Sequence, residues 1–266
     1  MKISLNGTLT DESAARIDPT DRGFLLGDGV FETIAVRKGV PRRLPAHLAR
    51  LRLGAGVLNI ALPYTDVKLA MLIQETLAAN ELTEASARIT LTRGPGARGV
   101  APPTAPTPTL LITVGAMAPA LGPARVIVAQ DTRRNEHSPL AQIKSLNYLD
   151  NIIARQEAIN LGADDALLLN TAGRVAESTV ANIFVLVNGG LITPPVEEGA
   201  LPGVMRGEAI KLARAEEKPI TIDMLGDASE IFLTNALGLR AVIQIGDHTV
   251  GDGEPGLITQ LLAARL

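Results

Sequence analysis

Apolar and polar positions change their spacing several times along the 266 residues, and each change predicts an element. Residues 2–10 read as two short strands around Asn6-Gly7, a dipeptide that signals a tight hairpin when it lies between apolar runs. From Val30 to Val36 the chain alternates and is rich in β-branched residues, which predicts a strand. Leu44, Leu48, Leu51, Ala55 and Leu58 then recur at steps of three and four, the spacing of one helix face. A second helix is predicted over 66–79, with Val67, Leu69, Ala70, Ile73 and Leu77 as its apolar face. Residues 86–92 and 109–115 return to strand character and read as a pair, separated by a glycine- and proline-rich loop from Arg93 to Pro108.

Periodicity disappears over 115–124 (GAMAPALGPA), where Gly and Pro crowd together. This places a linker at 116–124, between an N-terminal α/β domain over 1–115 and a C-terminal domain over 125–266. In the second domain, 125–130 reads as a strand. Leu149, Ile152, Ile153 and Ile159 carry a helix that stops at Gly162. Ala166–Leu169 is a short buried strand, and residues 182–193 form a hairpin around Asn188-Gly189-Gly190. A helix starts near Val204, strands follow at 230–234 and 241–245, and a short helix ends the chain. Strands and helices mix without a regular βαβ rhythm, so the expected class is α+β in two lobes.

Composition removes whole classes of chemistry. The chain has no cysteine, which excludes disulfides, thiolate metal sites and a cysteine nucleophile. Its three histidines, His47, His137 and His248, lie too far apart in sequence for a metal-ligand motif, so no metal is expected. A formal charge of -3 gives no basic footprint for nucleic acid. No apolar run reaches the roughly 18 residues that span a bilayer. The N-terminus carries no apolar segment of the kind that directs secretion. The expectation is a cytoplasmic enzyme acting on a small molecule, with neither membrane nor nucleic acid as partner.

Five places could carry chemistry. Lys144, in Ile143-Lys144-Ser145-Leu146-Asn147, has an apolar neighbour and no adjacent acid, so partial desolvation could make it a Schiff-base nucleophile. Glu177 lies in a turn ahead of the apolar strand Asn182–Val187, where a carboxylate could keep a ring nitrogen protonated. Leu201-Pro202-Gly203 leads into a helix whose first N–H groups, at Val204 and Met205, could bind phosphate. Asn235 and Ala236, after the strand Ile231–Thr234, could add further donors. Arg50 lies about 200° around its helix from Leu48, off the apolar stripe, on a face with His47. There it could clamp a phosphate bidentately. Each has an ordinary alternative: a solvated lysine, glutamate or arginine, or a plain turn.

Their order along the chain resembles the class IV family of pyridoxal-phosphate (PLP) enzymes. The resemblance runs from Asp21-Arg22-Gly23-Phe24 and Gly27-Asp28-Gly29-Val30-Phe31-Glu32-Thr33 through His47-Leu48-Ala49-Arg50-Leu51. It continues with Lys144 to Asn147, Glu177 to Phe184 and Leu201 to Arg206, and so covers about residues 3–262. It implies a two-lobed fold, a small N-terminal α/β lobe and a larger β-barrel-like C-terminal lobe, with PLP held between them. The working unit would be a homodimer whose partner contributes to the substrate pocket. By this similarity Lys144 would hold the cofactor covalently and move the substrate proton, and Glu177 would pair with the pyridine nitrogen. Arg50, Val204, Met205, Asn235 and Ala236 would bind the phosphate.

The family contains branched-chain and D-amino-acid aminotransferases, amine transaminases and 4-amino-4-deoxychorismate lyase. Arg93-Gly94-Pro95-Gly96-Ala97-Arg98-Gly99, the turn Asn235-Ala236-Leu237 and the Lys-x-Leu-Asn spacing up to Asn147 are similar to the lyase. Phe31 stands where D-amino-acid aminotransferases have a tyrosine for the substrate carboxylate. The expectation is therefore the lyase, which forms 4-aminobenzoate and pyruvate, with Phe31, Arg93, Arg98 and Asn147 at the substrate. The alternative is an aminotransferase for branched-chain or D-amino acids or (R)-amines. The distant rival is a non-catalytic protein that keeps the scaffold.

Overall fold

The computed structural model describes residues 1–266, and contacts within the chain divide it into two units. The first comprises Met1–Pro119 and Ile143–Asn147, the second Ala120–Gln142 and Tyr148–Leu266. The chain passes from the first unit to the second at 119/120. The return of five residues to the first unit was not visible in the sequence.

The first unit contains strands β1 (Lys2–Leu5), β2 (Thr8–Asp11), β3 (Gly29–Arg37), β4 (Val40–Pro41), β5 (Ala85–Thr92) and β6 (Thr109–Ala116). Its helices are α1 (Arg22–Leu26), α2 (Leu44–Val57) and α3 (Asp66–Ala79). The antiparallel sheet has the order β2-β1-β6-β5-β3-β4. At the first hairpin Asn6 and Gly7 both take positive φ, 50° and 81°, as a type I′ turn requires. Helices α2 and α3 cover one sheet face, and Val30, Ile34 and Val36 of β3 meet Leu48, Leu51 and Ala55 of α2 in a single core. On α3 the buried set is Leu69, Leu72, Ile73, Thr76 and Leu77, whereas Val67 is exposed, so the apolar face is turned from the expected one.

The second unit holds β7 (Ala124–Val128), β8 (Asp165–Leu169), β9 (Val175–Ser178), β10 (Asn182–Val187), β11 (Gly190–Thr193), β12 (Glu216–Glu217), β13 (Glu230–Asn235), β14 (Gly238–Ile245) and β15 (His248–Thr249). Its helices are α4 (Leu149–Asn160), α5 (Val204–Ala213), α6 (Ile222–Gly226) and α7 (Leu257–Ala263). The sheet runs β12-β11-β10-β13-β14-β7-β8-β9, with β15 on β14. Ile220, just past β12, bridges Val175 of β9, so the sheet curls back on itself. One βαβ crossover is present, because β7 and β8 are parallel and α4 connects them.

Helix α4 forms where the sequence predicts it but faces the other way. Ala154 and Ala158 pack on Ile127, Ala166 and Leu168, while Leu149, Ile152, Ile153 and Ile159 are exposed. Two alanines let the helix axis approach the sheet closely, and a larger side chain there would overpack. Ala158→Leu is therefore expected to cost about 1–3 kcal/mol. Ile159→Gln should change stability by no more than about 0.5 kcal/mol. Urea unfolding of the two variants measures both, and equal effects would contradict this facing.

Candidate active site

Successive residues of a strand point to opposite faces, and β3 uses both. Glu32 belongs to the row of Val30, Ile34 and Val36, which faces α2, and has no solvent exposure. Three bonds from α2 neutralise it. Arg50 Nε and Nη2 donate to Glu32 at 2.7 and 2.8 Å, and His47 Nδ1 lies 2.7 Å from Glu32 Oε2. Burial pushes the Glu32 carboxyl up, but the bonds from Arg50 and His47 outweigh it and hold the group below the usual range. The bidentate fork foreseen for a phosphate is thus made to Glu32, which fixes the guanidinium in direction.

Phe31 lies on the opposite face. Residues 143–147 run antiparallel along the start of β3, with Phe31 N–H donating to Lys144 O and Leu146 N–H to Gly29 O, both at 2.9 Å. This brings Lys144 Nζ to 4.5 Å from the centre of the Phe31 ring, and Arg88 Cζ of β5 stacks 3.7 Å from the same centre. Lys144, Phe31 and Arg88 therefore form one cluster. Asn147 Nδ2 donates to Gly27 O at 3.3 Å.

The loop over 93–108 is tightly held. Asp21 accepts from Thr92 Oγ1 at 2.9 Å and Thr109 Oγ1 at 2.7 Å, so one carboxylate joins the two ends of the loop. Arg93 is consumed inside the unit. It donates to Asp28 through Nε and Nη2, and to the carbonyls of Leu58 and Asn59. Its guanidinium is buried, so the structure gives Arg93 a scaffold position where the sequence suggested substrate contact. Arg98 is exposed on the same loop.

In the second unit Glu177 lies on strand β9, not in a turn. Its Oε2 accepts from Leu201 N–H at 3.0 Å, and Arg134 Nη2 is 3.2 Å from its Oε1. Asn182, the first residue of β10, gathers this site. Its Nδ2 donates to Leu201 O at 2.8 Å and lies 3.5 Å from Glu177 Oε2. A Cβ at position 203 would stand 2.0 Å from Asn182 Oδ1, so only glycine fits in the turn before α5. Helix α5 begins at Val204 with no side-chain cap, leaving the N–H groups of Val204 and Met205 at an open N-terminus. Asn182 pairs in register with Thr234, whose Oγ1 is buried and has no hydrogen-bond partner. Asn235 spends its Oδ1 on Leu237 N–H at 2.9 Å, and Ala236 continues the turn.

The profile of the family described as amino-transferase class IV matches residues 29–245. The chain belongs to that family. A protein provisionally named branched-chain-amino-acid aminotransferase from Methanocaldococcus jannaschii is 38% identical over 100% of this chain and 95% of its own. D-alanine aminotransferase of Bacillus licheniformis is 30% identical over 100% and 96%. Among solved structures, a protein provisionally named 4-amino-4-deoxychorismate lyase from Legionella pneumophila is 33% identical over 94% of each chain, with a TM-score of 0.85. The branched-chain aminotransferase of Thermoproteus uzoniensis, solved with norvaline, is 29% identical over 100% and 93%, with a TM-score of 0.89.

Class IV aminotransferases are enzymes that work with PLP, and the donors here fit that cofactor. A buried hydroxyl without a partner is costly, and Thr234 offers one in register with Asn182, whose side chain packs on the turn that leads into the ten-residue helix α5. Glu177 is a buried carboxylate held in place by Leu201 and Arg134, as a pyridinium partner should be.

Sequence reasoning missed Glu32, Arg88, Arg134, Asn182 and Thr234. Glu32 and Arg88 left a signal, each as the lone charge in the interior of a strand. Its low folded-state pKa makes its contribution complete above the ordinary value of 4.5, and this is lost as pH falls through the folded value. Glu32→Gln should lose about 3 kcal/mol at neutral pH, because Arg50 keeps its charge without this counterion. The variant should also show a smaller further loss on acidification than wild type. Urea midpoints at neutral and acid pH test this, and an unchanged acid dependence would refute it.

Proposed function

We propose that this enzyme is an aminotransferase acting on free amino acids. The observation that carries the reading is the Phe31 ring shared by the amine of Lys144 and the guanidinium of Arg88 on one sheet face. A guanidinium fixed there suits an α-carboxylate. The amine suits the proton on the neighbouring carbon, since a lysine can serve as both Schiff-base partner and general base. When bound, PLP supplies the aldehyde that joins amines and a ring that takes up the electron pair left by the broken C–H bond.

The residues divide the work. Lys144 holds the cofactor and carries the proton to and from the substrate carbon. Glu177, oriented by Leu201 N–H and Arg134, keeps the pyridine nitrogen protonated. The N–H groups of Val204, Met205 and Ala236 bind the phosphate, with the Thr234 hydroxyl, the Asn235 turn and Arg50, whose guanidinium Glu32 orients. Phe31 gives an apolar wall, Asn147 supports the turn at Gly27, and Arg98 is a second cation for the same α-carboxylate that Arg88 meets. The printed names of the Methanocaldococcus and Bacillus relatives, for branched-chain amino acids and D-alanine, support an amino-acid substrate.

A second reading, 4-amino-4-deoxychorismate lyase, is favoured by the Arg-Gly-x-Gly-x-Arg-Gly loop and the Legionella neighbour. It loses ground because Arg93, one of the two loop arginines meant for that substrate's carboxylates, is tied to Asp28, Leu58 and Asn59. No helix is long and apolar enough to cross a membrane. We further propose a homodimer, for which the exposed Leu149, Ile152, Ile153 and Ile159 offer a suitable surface.

The deciding experiment mixes PLP-loaded enzyme with L-leucine, L-valine, D-alanine, an (R)-amine and 4-amino-4-deoxychorismate in separate reactions. Conversion to the pyridoxamine form is expected with an amino acid. Formation of pyruvate and 4-aminobenzoate without any such conversion would overturn the reading. Arg88→Ala should lower kcat/KM for the amino acid about 100-fold, the scale of one lost charged contact of about 2.7 kcal/mol. It should leave the colour of the lysine-bound cofactor intact.

A further inference from the structure

Arg22 is nearly as buried as the core, yet its side-chain hydrogen bonds go to neither Lys144 nor Glu177. All of its donors are directed to one purpose. Nε donates to Asp28 Oδ2 at 2.8 Å, the same carboxylate that holds Arg93. The two terminal nitrogens donate to three consecutive carbonyls of the glycine-rich loop: Gly99 at 3.0 Å, Ala101 at 3.2 Å and Val100 at 2.9 Å. The backbone adds to the grip. Arg22 N–H donates to Gly94 O at 2.9 Å, and Gly96 N–H donates to Thr20 O at 3.1 Å. A Cβ at Gly96 would lie 2.9 Å from Arg22 Cδ, so the loop passes against the aliphatic stem with no room to spare.

Arg98 immediately precedes the first of the three gripped carbonyls. Its side chain is exposed, while the backbone that carries it is fixed from one residue onward. A planar fork suits this task, because only a guanidinium places several charged donors in fixed directions at once. Lysine in its place would keep the attraction to Asp28 but could not span three acceptors.

We infer that Arg22, anchored by Asp28, is a positioning residue that holds the loop tip at 99–101 and thereby fixes Arg98 for substrate-carboxylate selection. The inference rests on the substrate role proposed above for Arg98, and it assigns no chemistry to Arg22 itself. Misplacement of a binding group by an ångström from a distant change weakens its contact with substrate, so the grip can set specificity without touching substrate.

The test uses the full-length holoenzyme and two independent variants. Arg22→Lys removes the fork, and Gly96→Ala pushes a methyl group against the stem while leaving every charge in place. Both are expected to raise KM for the amino-acid substrate about tenfold, with kcat within about twofold of wild type. Arg98→Ala should produce the same KM, and the Arg22→Lys, Arg98→Ala double variant should add nothing to it, because both act through one contact. Trypsin cleavage after Arg98 reads the grip without any substrate. It should accelerate about tenfold in both single variants, the mark of a segment that opens more often. Wild-type cleavage and wild-type KM in both variants would overturn the inference. So would effects of Arg22→Lys and Arg98→Ala that simply add. If the loop opens to trypsin while Arg98→Ala keeps a wild-type KM, the substrate role of Arg98 fails, and the link from Arg22 to selectivity fails with it.

Discussion

Glu32 stands in the core-facing row of β3 among Val30, Ile34 and Val36, and helix α2 can lie on that row only because Arg50 and His47 meet the carboxylate. A buried carboxylate without partners would be prohibitively costly, so strand and helix are held in one register by charge as well as by packing. The same strand then presents Phe31 on its other side, where residues 143–147 pair with it and Lys144 is brought over the ring. Strand alternation thus lets one segment serve two purposes. One side fixes the helix, and the other fixes the amine of Lys144.

The second unit repeats this economy with a neutral group. Asn182 donates to the turn at 201 and to Glu177, its oxygen excludes any side chain at 203, and its register partner is Thr234. One residue therefore ties a carboxylate and a helix N-terminus through its side chain, and a strand carrying the hydroxyl through its backbone register. The positively polarised end of α5 and a buried donor suit a phosphate, and the fixed carboxylate suits a protonated ring nitrogen. Both arrangements are preset by the scaffold, which fits a family whose chemistry is mostly that of its cofactor.

How much of this could be read from the chain depends on how local each cause is. Helices over 44–57 and 66–79, the paired strands β5 and β6, and the Asn6-Gly7 hairpin follow from periodicity and turn chemistry within a few residues. Order along the chain was enough to recognise the family through Lys144, Glu177 and the turn at 201–206. What stayed hidden depends on distant partners. Nothing near Arg50 announces Glu32, and nothing near Arg93 announces Asp28. The inward face of α4 is carried by Ala154 and Ala158, which a reading based on large apolar residues assigns to the outside. The two-residue strands β4, β12 and β15 are too short to show any period.

The inverted α4 has a physical consequence for the isolated chain. By packing through two methyl groups, the helix keeps close to its sheet and leaves a ridge of leucine and isoleucine facing water. Contiguous oily surface of this kind is unusual on a solitary soluble protein. Until something covers the ridge, the chain carries an apolar strip through which copies can associate without unfolding.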